Sequence, residues 1–125
     1  MINEKDTLLF IGLGGAGQRH LRLYRELLPK NNFFAFRKTK KTPLLNPDFT
    51  INKNSSIEDI YKINIIKNIE EIKELKPKLT IISSPTSYHK KYSILAGELG
   101  SNVFVEKPGF AKMSEVEEIK KYFLK

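Results

Sequence analysis

Three short stretches of this chain hold residue types that could do chemistry. Gly12, Gly14 and Gly17 stand at the spacing G-x-G-x-x-G directly behind the apolar run Thr7–Ile11. Ser84-Pro85-Thr86-Ser87-Tyr88-His89 closes a second apolar run, and Glu106-Lys107-Pro108 closes a third. In the first stretch Gly12 allows a tight turn out of a strand. Gly14 lets the backbone come up against a pyrophosphate with no Cβ in the way, and Gly17 lets a helix pack close to the strand. Gly15 and Ala16 lie between them, where an amphipathic pattern of Ala16, His20, Leu23, Tyr24 and Leu27 begins. A helix starting there aims unpaired N–H groups and its positive dipole end at a phosphate. Strand, glycine turn and helix in that order read as a dinucleotide site; a tight turn that binds nothing is the alternative.

Sites of this kind place an acidic residue about 20 positions beyond the glycines, to hold the ribose 2′-hydroxyl of NAD. Here the second apolar run ends in Phe36-Arg37-Lys38, with no carboxylate. Arg37 could fork onto a 2′-phosphate, with Lys38 or Lys40 adding point charge, so NADP is favoured over NAD. A solvated basic loop is the plainer reading of Lys40 and Lys41. Ligands of open α/β sheets sit outside the carboxyl ends of the strands, which puts Ser84, Pro85 and Thr86 beside the ribose or nicotinamide. Thr86 or Ser87 also suits a helix N-cap, and His89, in the first helical turn, is a cofactor-facing candidate at a position more often structural than catalytic. Lys107, projecting into the same crevice, could bond a substrate hydroxyl and take its proton as hydride leaves; taken alone, an ordinary surface lysine before a proline is the plainer reading.

The elements that must position these residues are legible as alternation. Five apolar runs recur, Thr7–Ile11, Phe33–Phe36, Asn64–Ile66, Leu79–Ser83 and Asn102–Val105, each followed by a helical pattern. Apolar throughout rather than alternating, they suit parallel strands buried on both faces. Ser56 and Asn68 are expected N-caps, Asn68 with Glu71 as a capping box, and Ser114 with Glu117 forms another. Gly100 suits the left-handed position that ends a helix. The expectation is an α/β, doubly wound parallel sheet of order 3-2-1-4-5 with helices on both faces. Thr42–Ser55 is expected to be an irregular loop.

Length and composition set outer bounds. The 125 residues fit one domain, 1–125, and there are no cysteines, hence no disulfide and no thiolate site. His20 and His89 are too far apart in sequence to suggest a metal site. No apolar run approaches the ~20 residues of a membrane span, and the polar start carries no signal-peptide core. A cytoplasmic protein is the simplest expectation. The net charge of +8 raises nucleic acid as a partner. Most of the lysines are scattered along helices, however, and the aromatics Phe10, Phe33, Phe34, Phe36 and Phe104 fall in strand runs, where they are expected in the core. That leaves no stacking surface, so nucleic acid is not expected.

Taken together, Gly12-x-Gly14-x-x-Gly17-x-Arg19-His20, Ser84-Pro85-Thr86-x-x-His89 and Glu106-Lys107-Pro108 resemble the glucose–fructose oxidoreductase, inositol dehydrogenase and rhizopine catabolism (Gfo/Idh/MocA) family. Glu-Lys-Pro behind Val-Phe-Val is the most specific part. The resemblance implies a Rossmann domain that binds NAD or NADP, and a second, C-terminal domain that takes a sugar or polyol. It implies that Gly12, Gly14 and Gly17 meet the pyrophosphate, that Pro85 and Glu106 frame the nicotinamide, and that Lys107 is the catalytic lysine. Arg37 departs from the acidic residue usual there, and no C-terminal domain follows in the chain. The expectation is a domain that binds dinucleotide without efficient turnover by itself, its oligomeric state open. A non-catalytic dinucleotide-binding module is the alternative, but it would not need Lys107.

Overall fold

β1 (Thr7–Ile11) forms the middle of a five-stranded sheet, flanked by β2 (Asn32–Phe36) on one side and β6 (Leu79–Ile82) on the other. β5 (Ile63–Ile66) extends the sheet beyond β2, and β7 (Asn102–Val105) extends it beyond β6. Every pairing is parallel. The computed structural model describes residues 2–37 and 42–123. Lys38, expected to add charge beside Arg37, lies outside the described residues, as does Lys40.

Between the strands run α1 (Gly15–Leu27), α2 (Ile57–Tyr61), α3 (Ile69–Leu75) and α4 (His89–Glu98), and α5 (Met113–Phe123) follows β7. The strand order β5-β2-β1-β6-β7 is the expected 3-2-1-4-5 once one insertion is set aside. That insertion is a correction. The segment expected to be an irregular loop contains a two-stranded antiparallel hairpin, β3 (Leu44–Leu45) with β4 (Ile51–Asn52). Its strands are only two residues long, too short to leave a period-2 pattern in the sequence.

Alternate strand residues face opposite sides. Leu8, Phe10, Phe33, Ala35, Ile63 and Ile81 point into one buried layer with Leu21 of α1 and Ile57 of α2. Leu9, Ile11, Phe36, Ile66 and Ile82 point into the other, with Ile72 of α3 and the α4 side chains Tyr92 and Leu95. Coverage on both faces of the inner strands β2, β1 and β6 explains their continuous apolar runs. Phe104 departs from its expected place in the core and is 42% exposed, because β7 is an edge strand.

Local signals set most of the helix ends. Ser56 accepts the Asp59 N–H, and Asn68 accepts the Glu70 N–H, both as N-caps, although the expected Asn68–Glu71 capping box does not form among the described residues. α4 ends in Gly100 at φ +73, where the Gly100 N–H reaches Gly97 O and the Ser101 N–H reaches Ala96 O. That double bond is the Schellman arrangement. Two caps differ from expectation. α5 begins at Met113, and the carboxylate of Glu115 accepts from Ala111 and Lys112 N–H, so Ser114 is not the cap. Thr86 and Ser87 form a short 3₁₀ turn ahead of α4 rather than capping it.

Candidate functional site

The central strands end level. Ile11 pairs with Phe36 and with Ile82, and Ile82 pairs with Val105. The next residue of each strand, Gly12, Arg37, Ser83 and Glu106, therefore lies on one carboxyl edge of the sheet. The backbone ladder runs into that edge: Ser83 N–H reaches Ile11 O, Glu106 N–H reaches Ile82 O, and Arg37 N–H reaches Ile66 O. β1 is also where the connections diverge, to β2 on one side and β6 on the other, which is where open α/β sheets leave a crevice.

The glycine turn opens this crevice. Gly12 has φ +99, and a Cβ on it would lie 2.6 Å from the Ser83 carbonyl carbon. A Cβ on Gly17 would lie 2.1 Å from Gly12 O, so α1 can seat against β1 only without one. Gly14 is different: a Cβ there would meet nothing within 4 Å. It N-caps α1 with no side-chain hydrogen bond, and the first turn carries no acid. Unpaired N–H groups, an open approach at Gly14 and no competing carboxylate are the features that favour an anion at such a helix start.

Behind the turn, two hydrogen-bonded struts tie the loops together. Gln18 on α1 is 3% exposed; its side-chain amide donates to Leu13 O and to Pro43 O, and its oxygen accepts from the Leu45 N–H. The inserted hairpin is thereby fastened to the glycine turn. At the tip of the hairpin, Phe49 has φ +69, and its ring would lie 3.1 Å from a Cβ on Gly15. His89 is the second strut. It is 1% exposed, and its ring nitrogens each lie 2.7 Å from a carbonyl oxygen, Ser84 O on one side and Gly109 O on the other. With both ring nitrogens on carbonyls, His89 holds together the segments behind β6 and β7.

In front of the struts are the groups that can act. The carboxylate of Glu106 accepts a hydrogen bond from His20 Nε2–H on α1. That bond holds the Glu106 pKa below its ordinary value, against the opposing effect of partial burial; the His20 charge, the Lys107 N–H and Arg19 add to the lowering. Lys107, next in the chain, is exposed and makes no ion pair among the described residues. The hydroxyls of Ser83 and Ser84 are buried without a hydrogen-bond partner among the described residues, while Pro85 is exposed and Thr86 half-buried. Two buried hydroxyls without a partner, side by side at the carboxyl edge, are unsatisfied hydrogen-bonding capacity. At the β2 side, Arg37 Nη2 lies 3.5 Å from Glu58 Oε1.

A family model described as "Oxidoreductase family, NAD-binding Rossmann fold" (GFO_IDH_MocA) matches residues 7–125. The chain belongs to this oxidoreductase family. No curated protein matches it. Among solved structures, myo-inositol 2-dehydrogenase from Lactobacillus plantarum superposes with TM-score 0.69 at 22% identity, over 96% of this chain and 33% of that one. The WlbA dehydrogenase from Bordetella pertussis, solved in complex with NADH and UDP-GlcNAcA, gives 0.73 at 13% identity, over 98% of this chain and 34% of that one. UDP-N-acetylglucosamine 3-dehydrogenase GnnA from Acidithiobacillus ferrooxidans gives 0.70 at 17% identity, over 99% and 36%. These likenesses establish the fold. The chain spans about a third of the length of each.

As an NAD-binding Rossmann domain of this oxidoreductase family, the chain brings the expected motif residues to one carboxyl edge of the sheet. Gly12, Gly14, Gly15, Ala16 and Gly17 form the open turn, Ser84 with Pro85 and Thr86 forms the loop across the crevice, and Glu106 with Lys107 closes its far end. Ser83, Gln18 and Phe49 were not legible as site residues. Serine at a strand end and glutamine in a helix are common, and nothing in the sequence places a hairpin tip over Gly15. His20 and Glu106 stand in the motifs, but their bond joins positions 86 apart.

Proposed function

We propose that this chain is the cofactor-binding part of an oxidoreductase that exchanges hydride between a nicotinamide and a hydroxyl-bearing carbon of a sugar or polyol. NADP is the favoured cofactor, because a guanidinium rather than a carboxylate follows β2. The observation that carries the reading is the shared carboxyl edge: an open glycine turn, two orphaned serine hydroxyls and Glu106-Lys107 end at one level.

On this reading the first-turn N–H groups of α1 hold the pyrophosphate, and Gly14 lets it approach. Ser83, Ser84 and Thr86 offer hydroxyls to the ribose or to the nicotinamide amide, and Pro85 and Glu106 frame the ring. The bound nicotinamide supplies or accepts the hydride. Lys107 hydrogen-bonds the substrate oxygen and moves its proton; Glu106, fixed by His20, keeps a negative charge beside that ammonium. Full turnover is assigned to an enzyme that includes a substrate-binding domain such as the resemblance implies.

The test is titration of the chain with NADPH and with NADH, followed by nicotinamide fluorescence, beside Gly14→Ala and Arg37→Ala variants. Binding that weakens in the first variant and loses its NADPH margin in the second supports the reading. Absence of binding to either cofactor, in a chain folded by circular dichroism, overturns it.

A further inference from the structure

In sequence, Arg37 reads as an unopposed cation waiting for a phosphate. In space it is opposed. Glu58, 21 residues further on, comes up from the first turn of α2 to place Oε1 3.5 Å from Arg37 Nη2. Both backbones are anchored, although the Glu58 side chain is 38% exposed. Arg37 is 13% exposed, with its backbone N–H fixed on Ile66 O. α2 is pinned through Ile57, 1% exposed in the core, and capped by Ser56. The pair borders a cavity of about 470 Å³ between the end of β2, the hairpin and the start of α2. Arg37 Nη1 is buried with no hydrogen-bond partner among the described residues, and Nη2 meets Glu58 only as an ion pair at 3.5 Å, so the guanidinium keeps free donors for a ligand.

We propose that Glu58 sets the margin between phosphorylated and unphosphorylated cofactor, acting at the adenosine ribose through and beside Arg37. The inference rests on the dinucleotide reading above. A 2′-phosphate brings about two negative charges to the pair and meets the Glu58 carboxylate as well as the arginine. A 2′-hydroxyl instead can donate to that carboxylate, the contact that an acidic residue at the end of β2 ordinarily provides. Glu58 thus restores from a helix the carboxylate that the second strand lacks. It narrows the preference for NADP that Arg37 alone would create.

The experiment measures dissociation constants for NADPH, NADH, adenosine 2′,5′-bisphosphate and 5′-AMP with the chain and its Glu58→Gln and Glu58→Asp variants. The two adenosine nucleotides report on this end of the site without the nicotinamide. In Glu58→Gln, the ratio of NADPH to NADH affinity rises about tenfold and the bisphosphate-to-AMP ratio rises with it. NADPH gains affinity, while NADH loses no more than a few-fold because the glutamine oxygen still accepts from the 2′-hydroxyl. Glu58→Asp, which keeps the charge, leaves the ratios near those of the parent. Equal ratios in the parent and in a folded Glu58→Gln variant overturn the assignment of Glu58 while leaving dinucleotide binding intact. A parent that binds none of the four overturns the dinucleotide reading, and this inference with it.

Discussion

His20 in α1 and Glu106 behind β7 are joined by a hydrogen bond that ties the helix of the glycine turn to the segment bearing Lys107. The bond holds Glu106 below its ordinary pKa, so the folded state favours the carboxylate. A depressed carboxylate pKa contributes stability that is fully present above the ordinary glutamate range, and that stability drains away as pH falls through the lowered value. In a His20→Ala variant the Glu106 titration, followed by carboxyl carbon NMR, moves upward towards the ordinary range. The variant's stability also falls less steeply between those two pH values than the parent's. A Glu106 titration that stays in place would assign its lowering to groups other than His20.

Gly14 and Gly17 separate binding from folding. Gly17→Ala forces a Cβ to within 2.1 Å of Gly12 O, between two backbone segments with nowhere to move. Overpacking of that kind costs at least about 1–3 kcal/mol, and denaturant unfolding should show it. Gly14→Ala meets nothing within 4 Å and keeps an ordinary φ of −74, so its effect on stability stays within about 1 kcal/mol. Its methyl group nevertheless stands where a pyrophosphate would approach, and dinucleotide affinity falls by about tenfold or more.

Gln18 is the part of the site where a silent polar residue does structural work. Gln18→Ala leaves Leu13 O, Pro43 O and the Leu45 N–H without their partner in a region that is largely buried. The expected loss is about 2–4 kcal/mol, more than a typical surface substitution. Hydrogen exchange gives the specific readout: the Leu45 amide loses protection in the variant, whereas β1 amides follow the global stability. Unchanged exchange at Leu45 would mean that the hairpin holds its place without Gln18.

The parallel sheet was legible because burial on both faces writes itself into composition. Two of the five strands, Thr7–Ile11 and Asn102–Val105, match their apolar runs residue for residue, and the rest differ by one residue at an end. The glycine turn was legible because its backbone demands are local. Other features depend on distant neighbours and leave no local trace. Phe104 looks like core until the sheet order makes β7 an edge. His89 leaves its role open in the sequence, and the carbonyls that meet both ring nitrogens come from Ser84 and the distant Gly109. Arg37 looks free until α2 delivers Glu58. The hairpin escaped because its strands are two residues long, and its placement comes from Gln18 and Phe49 rather than from its own pattern.

Glu106 and Lys107 are neighbours in the chain with opposite duties, and kinetics should divide them. Glu106 has spent its carboxylate on His20, whereas Lys107 is exposed and unpaired among the described residues. Only Lys107 is therefore free to meet a substrate oxygen. In an enzyme that joins this domain to a substrate-binding domain, Lys107→Ala should lower kcat by about 10²–10⁴-fold, the usual share of a positioned proton donor or acceptor. Cofactor affinity should change by no more than about twofold, because the pyrophosphate and ribose contacts are made elsewhere. His20→Ala should lower kcat less, by about tenfold, since it loosens the segment that carries Lys107 without removing the ammonium. Equal losses in kcat and cofactor affinity for Lys107→Ala would recast the lysine as a binding residue. An unchanged kcat would remove it from the proton-transfer step altogether.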